Sequence, residues 1–86
     1  MTKYEQSNIE NWLADLISEI LEVPPTEVDR TVHFDRYGLD SVAALTITTA
    51  LEEHLERELD ATVLYDYPTI AKLSHHLAEI TARVPQ

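Results

Sequence analysis

The chain has no cysteine. That excludes a disulfide framework, a thiolate metal ligand and a cysteine nucleophile, so any thiol chemistry must come from an attached group. It has a single glycine, Gly38, the one residue that takes positive φ without a Cβ penalty. No apolar run approaches the roughly 18 to 20 residues of a membrane-spanning helix. The start, Met1-Thr2-Lys3-Tyr4-Glu5, lacks a signal-peptide pattern, and the expected location is cytoplasmic. Basic residues are scarce, 6 against 16 acidic ones for a net charge of −10. This balance argues against nucleic acid and membrane surfaces as partners and favours basic protein surfaces.

What is present suffices for one small domain. The 86 residues can enclose a single core, burying about 60 to 65% of the unfolded chain's surface. An apolar content of 44% is ordinary for a globular fold, so the acidity does not imply disorder.

Ile9, Trp12, Leu13, Leu16, Ile17, Ile20 and Leu21 recur with the spacing of one apolar helix face. Ser7 and Glu10 read as a capping box for this first helix, and Pro24-Pro25 as its stop. Thr26 to Asp29 suits one capped helical turn, and Arg30 to Leu39 reads as a loop. Val28, Val32, Phe34, Tyr37 and Leu39 are too apolar to leave in water, so this loop should fold back over the helices and fix the position of Gly38.

From Ser41 to about Arg57 the pattern is helical again. With Ile47 pointing inward, Ala43, Ala44, Ala50, Leu51 and Leu55 share the core face, whereas Val42, Leu45, Thr46, Thr49, Glu52, Glu53 and Glu56 face away. Val42 and Leu45 are therefore expected as an outward apolar pair with acids further along, a pattern that suits docking. Ala61 to Tyr67, closed by Pro68, reads as a short third helix or turn. Thr69 caps a last helix striped by Ile70, Leu73, Leu77, Ile80 and Val84. The expectation is an all-α fold, a small four-helix bundle with three long helices and one short, in a single domain. Residues 1–7 and 84–86 would be its tails.

The chemistry concentrates at Gly38-Leu39-Asp40-Ser41-Val42. A serine at a helix N-terminus meets unpaired N–H groups and about half a positive charge, which suits a phosphate ester. Asp40 and Ser41 are also ordinary capping residues. A hydrolytic triad lacks parts, because only His33 is near Ser41 in sequence and so small a bundle has little room for a substrate cavity. His75 and His76 point about 100° apart on a helix and cannot face one ion together, and no calcium loop occurs, so no metal is expected. Trp12, His54, His75 and His76 read as core, rim or solvated residues. A passive acidic interaction module, unmodified, remains the alternative.

Gly38-Leu39-Asp40-Ser41, Leu51-Glu52-Glu53-His54-Leu55 and Leu64-Tyr65-Asp66-Tyr67-Pro68-Thr69-Ile70, in this order and at these spacings, resemble the acyl carrier proteins, in particular the carriers of modular polyketide synthases. The resemblance spans roughly Ile9 to Leu77. It implies that a phosphopantetheinyl transferase moves 4′-phosphopantetheine from coenzyme A onto Ser41, with Asp40 as the preceding acid and Gly38 before it. The arm would carry acyl groups as thioesters, and the chain itself would be non-catalytic. The implied partners are a ketosynthase, an acyltransferase or acyl-activating enzymes, with Val42, Leu45, Thr46, Glu52, Glu53 and Glu56 as the docking face of a monomeric domain. Val42 stands where the family commonly has leucine, and Ala43 and Thr46 where stand-alone fatty-acid carriers are often acidic. Docking near Ser41 is therefore expected to be more apolar than electrostatic.

Overall fold

The computed structural model describes residues 4–82. Four α-helices follow one another, α1 (Gln6–Leu21), α2 (Ser41–Leu55), α3 (Val63–Asp66) and α4 (Ile70–Ala82), and no strand occurs among the described residues. The expected bundle of three long helices and one short is the one observed. Its centre is built from the predicted stripes: Ile9, Leu13 and Ile17 of α1, Ile47 and Leu51 of α2, and Ile70, Leu73 and Leu77 of α4 are fully buried. Helix α1 packs most extensively on α4. Truncating Leu51 to alanine would leave a cavity costing about 2 to 5 kcal/mol.

The helix ends differ from expectation in instructive ways. Helix α1 begins at Gln6, inside the stretch read as a tail, with Glu5 at the N-cap and no side-chain cap bond. Ser7 thus lies within the first turn and forms no capping box. Glu10 instead accepts from Gln6 Nε2 at 3.3 Å and from Arg30 Nη1 at 3.1 Å. The helix ends before the two prolines, because Glu22 turns left-handed (φ 59°) and the Val23 N–H reaches back to the Ser18 carbonyl at 3.0 Å. That is the hydrogen bonding of a Schellman motif, made here without glycine. Glu56 (φ 56°) closes α2 in the same left-handed region. The turn expected near Thr26 is a 3₁₀ turn, Pro25–Glu27, entered through Pro24.

Thr69 caps α4 as predicted, its Oγ1 accepting the Lys72 N–H at 3.0 Å. Val84 and the expected tail at 84–86 lie outside the described residues, as do residues 1–3. Two histidines stack on aromatic rings: His54 on Trp12 with centroids 4.4 Å apart, and His76 on Tyr67 at 3.9 Å. All four residues are half-buried, in keeping with rim positions.

The loop between α1 and α2 folds back over the core. Val28 and Phe34 are buried, while Tyr37 and Leu39 pack against the core from outside. Hydrogen bonds fix the loop to the start of α4: the Phe34 N–H donates to the Pro68 carbonyl at 2.8 Å, and the Arg30 carbonyl accepts the Ala71 N–H at 3.0 Å. The Tyr37 hydroxyl donates to the Asp29 carbonyl within the loop. These bonds satisfy backbone groups that a bare loop would leave open. They also hold the approach to α2 in one place.

Candidate functional site

The approach ends in a second 3₁₀ turn, Phe34–Tyr37, which Gly38 terminates with φ 75° and ψ 19°. A Cβ on Gly38 would meet nothing within 4 Å. Glycine is therefore needed for its backbone conformation and not for space. The left-handed turn redirects the chain through Leu39 to Asp40, an extended N-cap whose side chain accepts the Ala43 N–H at 2.9 Å. The Asp40 carbonyl accepts the first helical bond, from the Ala44 N–H at 2.9 Å. Ser41 is the first helical residue and is exposed. The N–H groups of Ser41 and Val42 lie before the hydrogen-bond ladder, at the positive end of the helix dipole.

Two flanks of α2 run away from Ser41. On one, Ala44 helps to line a cleft of about 340 Å³ with Phe34, Leu39, Leu64, Tyr65 and Pro68, and with His33 and Asp35 at its polar part. Ser41 and Ala44, three residues apart, share this flank. On the other, Leu45, Thr46, Thr49, Ala50 and Glu53 line a shallow groove of about 370 Å³. Val42 and Leu45 are 71% and 61% exposed, as the helix geometry predicted. Thr46, Thr49, Glu53 and Glu56 are also exposed.

Two side chains depart from the expected faces. Glu52 is half-buried, and its Oε2 accepts the Leu59 N–H at 2.8 Å, so it braces the segment after α2. Ala50, assigned to the core face, is half-buried and lines the outer groove. Thr48, which the sequence reading placed on neither face, is buried, its hydroxyl donating to the Ala44 carbonyl at 2.8 Å. Tyr65, 63% exposed on α3, was not singled out from the sequence. Its neighbours Val63 and Leu64 are the buried pair of that short helix, and an aromatic following them is the only local signal.

The electrostatics around Ser41 are mixed. Arg36 is the only Lys or Arg between Arg30 and Arg57. Within the loop, the Thr31 hydroxyl and N–H both donate to Asp29 Oδ1 and hold that carboxyl below its ordinary range. Partial burial, together with the Asp29 charge, pushes the Tyr37 phenol up. No hydrogen bond among the described residues joins His33 to Ser41. No group of three His, Cys, Asp or Glu side chains among them could hold a metal ion. No described helix is long and apolar enough to cross a membrane.

Residues 11–77 match the family described as the phosphopantetheine attachment site. The chain belongs to this family. It is 38% identical, over 66 residues, to a component of the phenolphthiocerol/phthiocerol polyketide synthase of Mycobacterium tuberculosis. That alignment covers 76% of this chain and 4% of the synthase polypeptide. The carrier domain therefore corresponds to a small part of the curated relatives it matches.

Among solved structures, it resembles an acyl carrier protein from Anabaena with a variant phosphopantetheinylation-site sequence. The TM-score is 0.87 and the identity 34%, covering 94% of this chain and 92% of that one. A free-standing peptidyl carrier protein from Acinetobacter baumannii gives a TM-score of 0.85 and 32% identity, covering 90% and 96%.

The fold and the family agree on an acyl carrier domain, homologous to those of polyketide synthases, that takes 4′-phosphopantetheine covalently. Carrier domains of synthases are generally non-catalytic and interact with synthase enzymes. The alternative of an unmodified interaction module is not favoured.

Proposed function

We propose that Ser41 is the residue that takes the arm. The observation that carries this reading is an exposed hydroxyl on the first residue of α2, directly behind the left-handed turn at Gly38 and inside the matched span. The residues present suit a phosphodiester. The N–H groups of Ser41 and Val42 precede the helical ladder, and the helix dipole favours an anion there. Asp40 ties down the first turn through Ala43, and the fixed loop keeps the serine at the surface.

In the modification step, Ser41 Oγ forms a new bond to the phosphorus of the pantetheine-bearing phosphate of coenzyme A. The pyrophosphate bond breaks, and adenosine 3′,5′-bisphosphate leaves with the electron pair. A base on the transferase takes the hydroxyl proton, since His33 makes no bond to Ser41 among the described residues. When bound, the arm supplies the thiol that the cysteine-free chain lacks.

The same reading takes residues 1–86 as one non-catalytic carrier domain, monomeric and cytoplasmic. Its partners are a phosphopantetheinyl transferase and then a ketosynthase, an acyltransferase or acyl-activating enzymes of a polyketide or fatty-acid synthase. Val42, Leu45, Thr46, Glu53 and Glu56 form the docking face, with Glu52 bracing α2 from behind. Intact-mass measurement after incubation with coenzyme A and a broad-specificity transferase tests the assignment. A gain of one phosphopantetheine that is lost in Ser41→Ala supports it, and no gain in a folded sample refutes it.

A further inference from the structure

Gly38 and Leu39 form the joint between the loop and α2. Glycine takes negative φ about as readily as positive, and a Cβ on Gly38 would meet nothing within 4 Å. Neither the residue type nor the space around it therefore selects the left-handed turn (φ 75°) that aims Ser41. The selection has to come from what holds the residues on either side. On the far side, Asp40 is tied to the first turn of α2 through the Ala43 N–H. On the near side stands Tyr37, half-buried, whose hydroxyl donates to the Asp29 carbonyl eight residues earlier.

Asp29 is itself well anchored. Its carbonyl also accepts the Val32 N–H at 3.4 Å, and its carboxylate accepts the Thr31 N–H at 2.9 Å and the Thr31 hydroxyl at 2.7 Å. The next residue fastens this corner to two helices: Arg30 pairs with Glu10 of α1 at 3.1 Å, and the Arg30 carbonyl accepts the Ala71 N–H of α4 at 3.0 Å. Phe34, at the start of the 3₁₀ turn, is held by the Pro68 carbonyl. The phenol secures the end of that turn which meets Gly38. Partial burial, together with the Asp29 charge, pushes the phenol up, so it stays a donor through the neutral range.

We infer that Tyr37 is a positioning residue for arm transfer: its hydroxyl, bonded to Asp29, holds the Gly38-Leu39 joint in the left-handed state that presents Ser41. This rests on Ser41 being the modified residue. Without the bond the joint gains other conformations, and only a fraction of carriers presents the serine correctly. Apparent affinity for the transferase falls in proportion to that fraction, while a carrier once bound reacts at its usual rate. Tyr37 thus acts through the backbone at Gly38 and not on the reacting atoms.

Tyr37→Phe removes the hydroxyl and keeps the ring. Its amide hydrogen exchange by NMR, and initial rates of arm transfer from coenzyme A by a broad-specificity transferase, test the inference, with folding checked by circular dichroism. The Gly38 and Ala43 amides, bonded to the Asp35 carbonyl and the Asp40 carboxylate, should exchange about fourfold faster, whereas those of Leu13 and Leu73 in the core keep their protection. KM for the carrier should rise about fourfold with kcat within about twofold, the size expected from loss of one neutral hydrogen bond. Tyr67→Phe, the same change on the ring that stacks on His76, should alter neither readout.

An unchanged KM in Tyr37→Phe would overturn the inference and leave the assignment of Ser41 standing. A raised KM with unchanged exchange at Gly38 and Ala43 would mean that the enzyme touches the hydroxyl directly, which also overturns it. If Tyr67→Phe matches Tyr37→Phe, the effect does not belong to the bond with Asp29 and the inference falls. A folded wild type that takes no arm removes both readings together.

Discussion

The Glu52 carboxylate accepts the Leu59 N–H at 2.8 Å across seven residues of chain, while Glu53 beside it faces outward. One glutamate thus holds α2 to the segment leading into α3, and the other stays exposed. Glu52→Ala leaves a half-buried backbone N–H without its acceptor and should cost about 1 to 2 kcal/mol. Glu53→Ala should change stability by less than about 0.5 kcal/mol. Urea denaturation of the two variants checks the split, and equal losses would contradict it.

Asp40 has a structural task separate from its place beside Ser41. Its carboxylate caps the Ala43 N–H at 2.9 Å, so Asp40→Ala should cost about 1 kcal/mol, whereas Asp40→Asn retains most of the cap. Thermal or urea melts measure the difference. If Asn were as damaging as Ala, the charge of Asp40 and not its cap would be what matters.

The apolar pair at the start of α2 should dominate docking. Val42 is 71% exposed, so Val42→Asp should alter stability by no more than about 0.5 kcal/mol. Transfer and acyl loading should nevertheless fall about tenfold or more, because a well-packed apolar contact is lost. Glu53→Gln, which removes the charge without reversing it, should cost only about threefold. Full activity in Val42→Asp, with abolition on neutralising Glu52 and Glu53, would invert this ranking.

Much of this arrangement was legible in the sequence because it depends on local spacing. The apolar stripe of α1, the outward position of Val42 and Leu45, and the caps at Asp40 and Thr69 follow from helix period and capping chemistry. What was not legible depends on distant partners. The sequence cannot say which of Glu52 and Glu53 turns inward until Leu59 N–H is in place, nor that Phe34 and Arg30 bond to the start of α4. Ser7 and Glu10 have the spacing of a capping box, but α1 starts two residues too early for it, and Glu10 bonds to Gln6 and Arg30 instead. Thr48 is polar by type yet buried, because its hydroxyl bonds to the carbonyl one turn back.

The loop carries a pH signature. The Thr31 hydroxyl and N–H lower the Asp29 pKa from 3.8. A carboxyl depressed in the folded state contributes stability above its unfolded pKa and loses it as pH falls through the lower folded value. Thr31→Val removes the hydroxyl donor, so the Asp29 titration followed by NMR should shift upward, and acid unfolding should begin at higher pH. An unchanged Asp29 midpoint would show that the hydroxyl bond does not set it.

The proposed function requires that the arm be carried by Ser41 and by no other hydroxyl. Fragmentation mass spectrometry of the peptide containing Gly38 to Val42, after treatment with coenzyme A and transferase, reads the site directly. The expected result is the phosphopantetheine ester on Ser41, with the Thr46 and Thr49 hydroxyls unmodified and no ester in Ser41→Ala. An ester on another residue, or one that survives in Ser41→Ala, would contradict it.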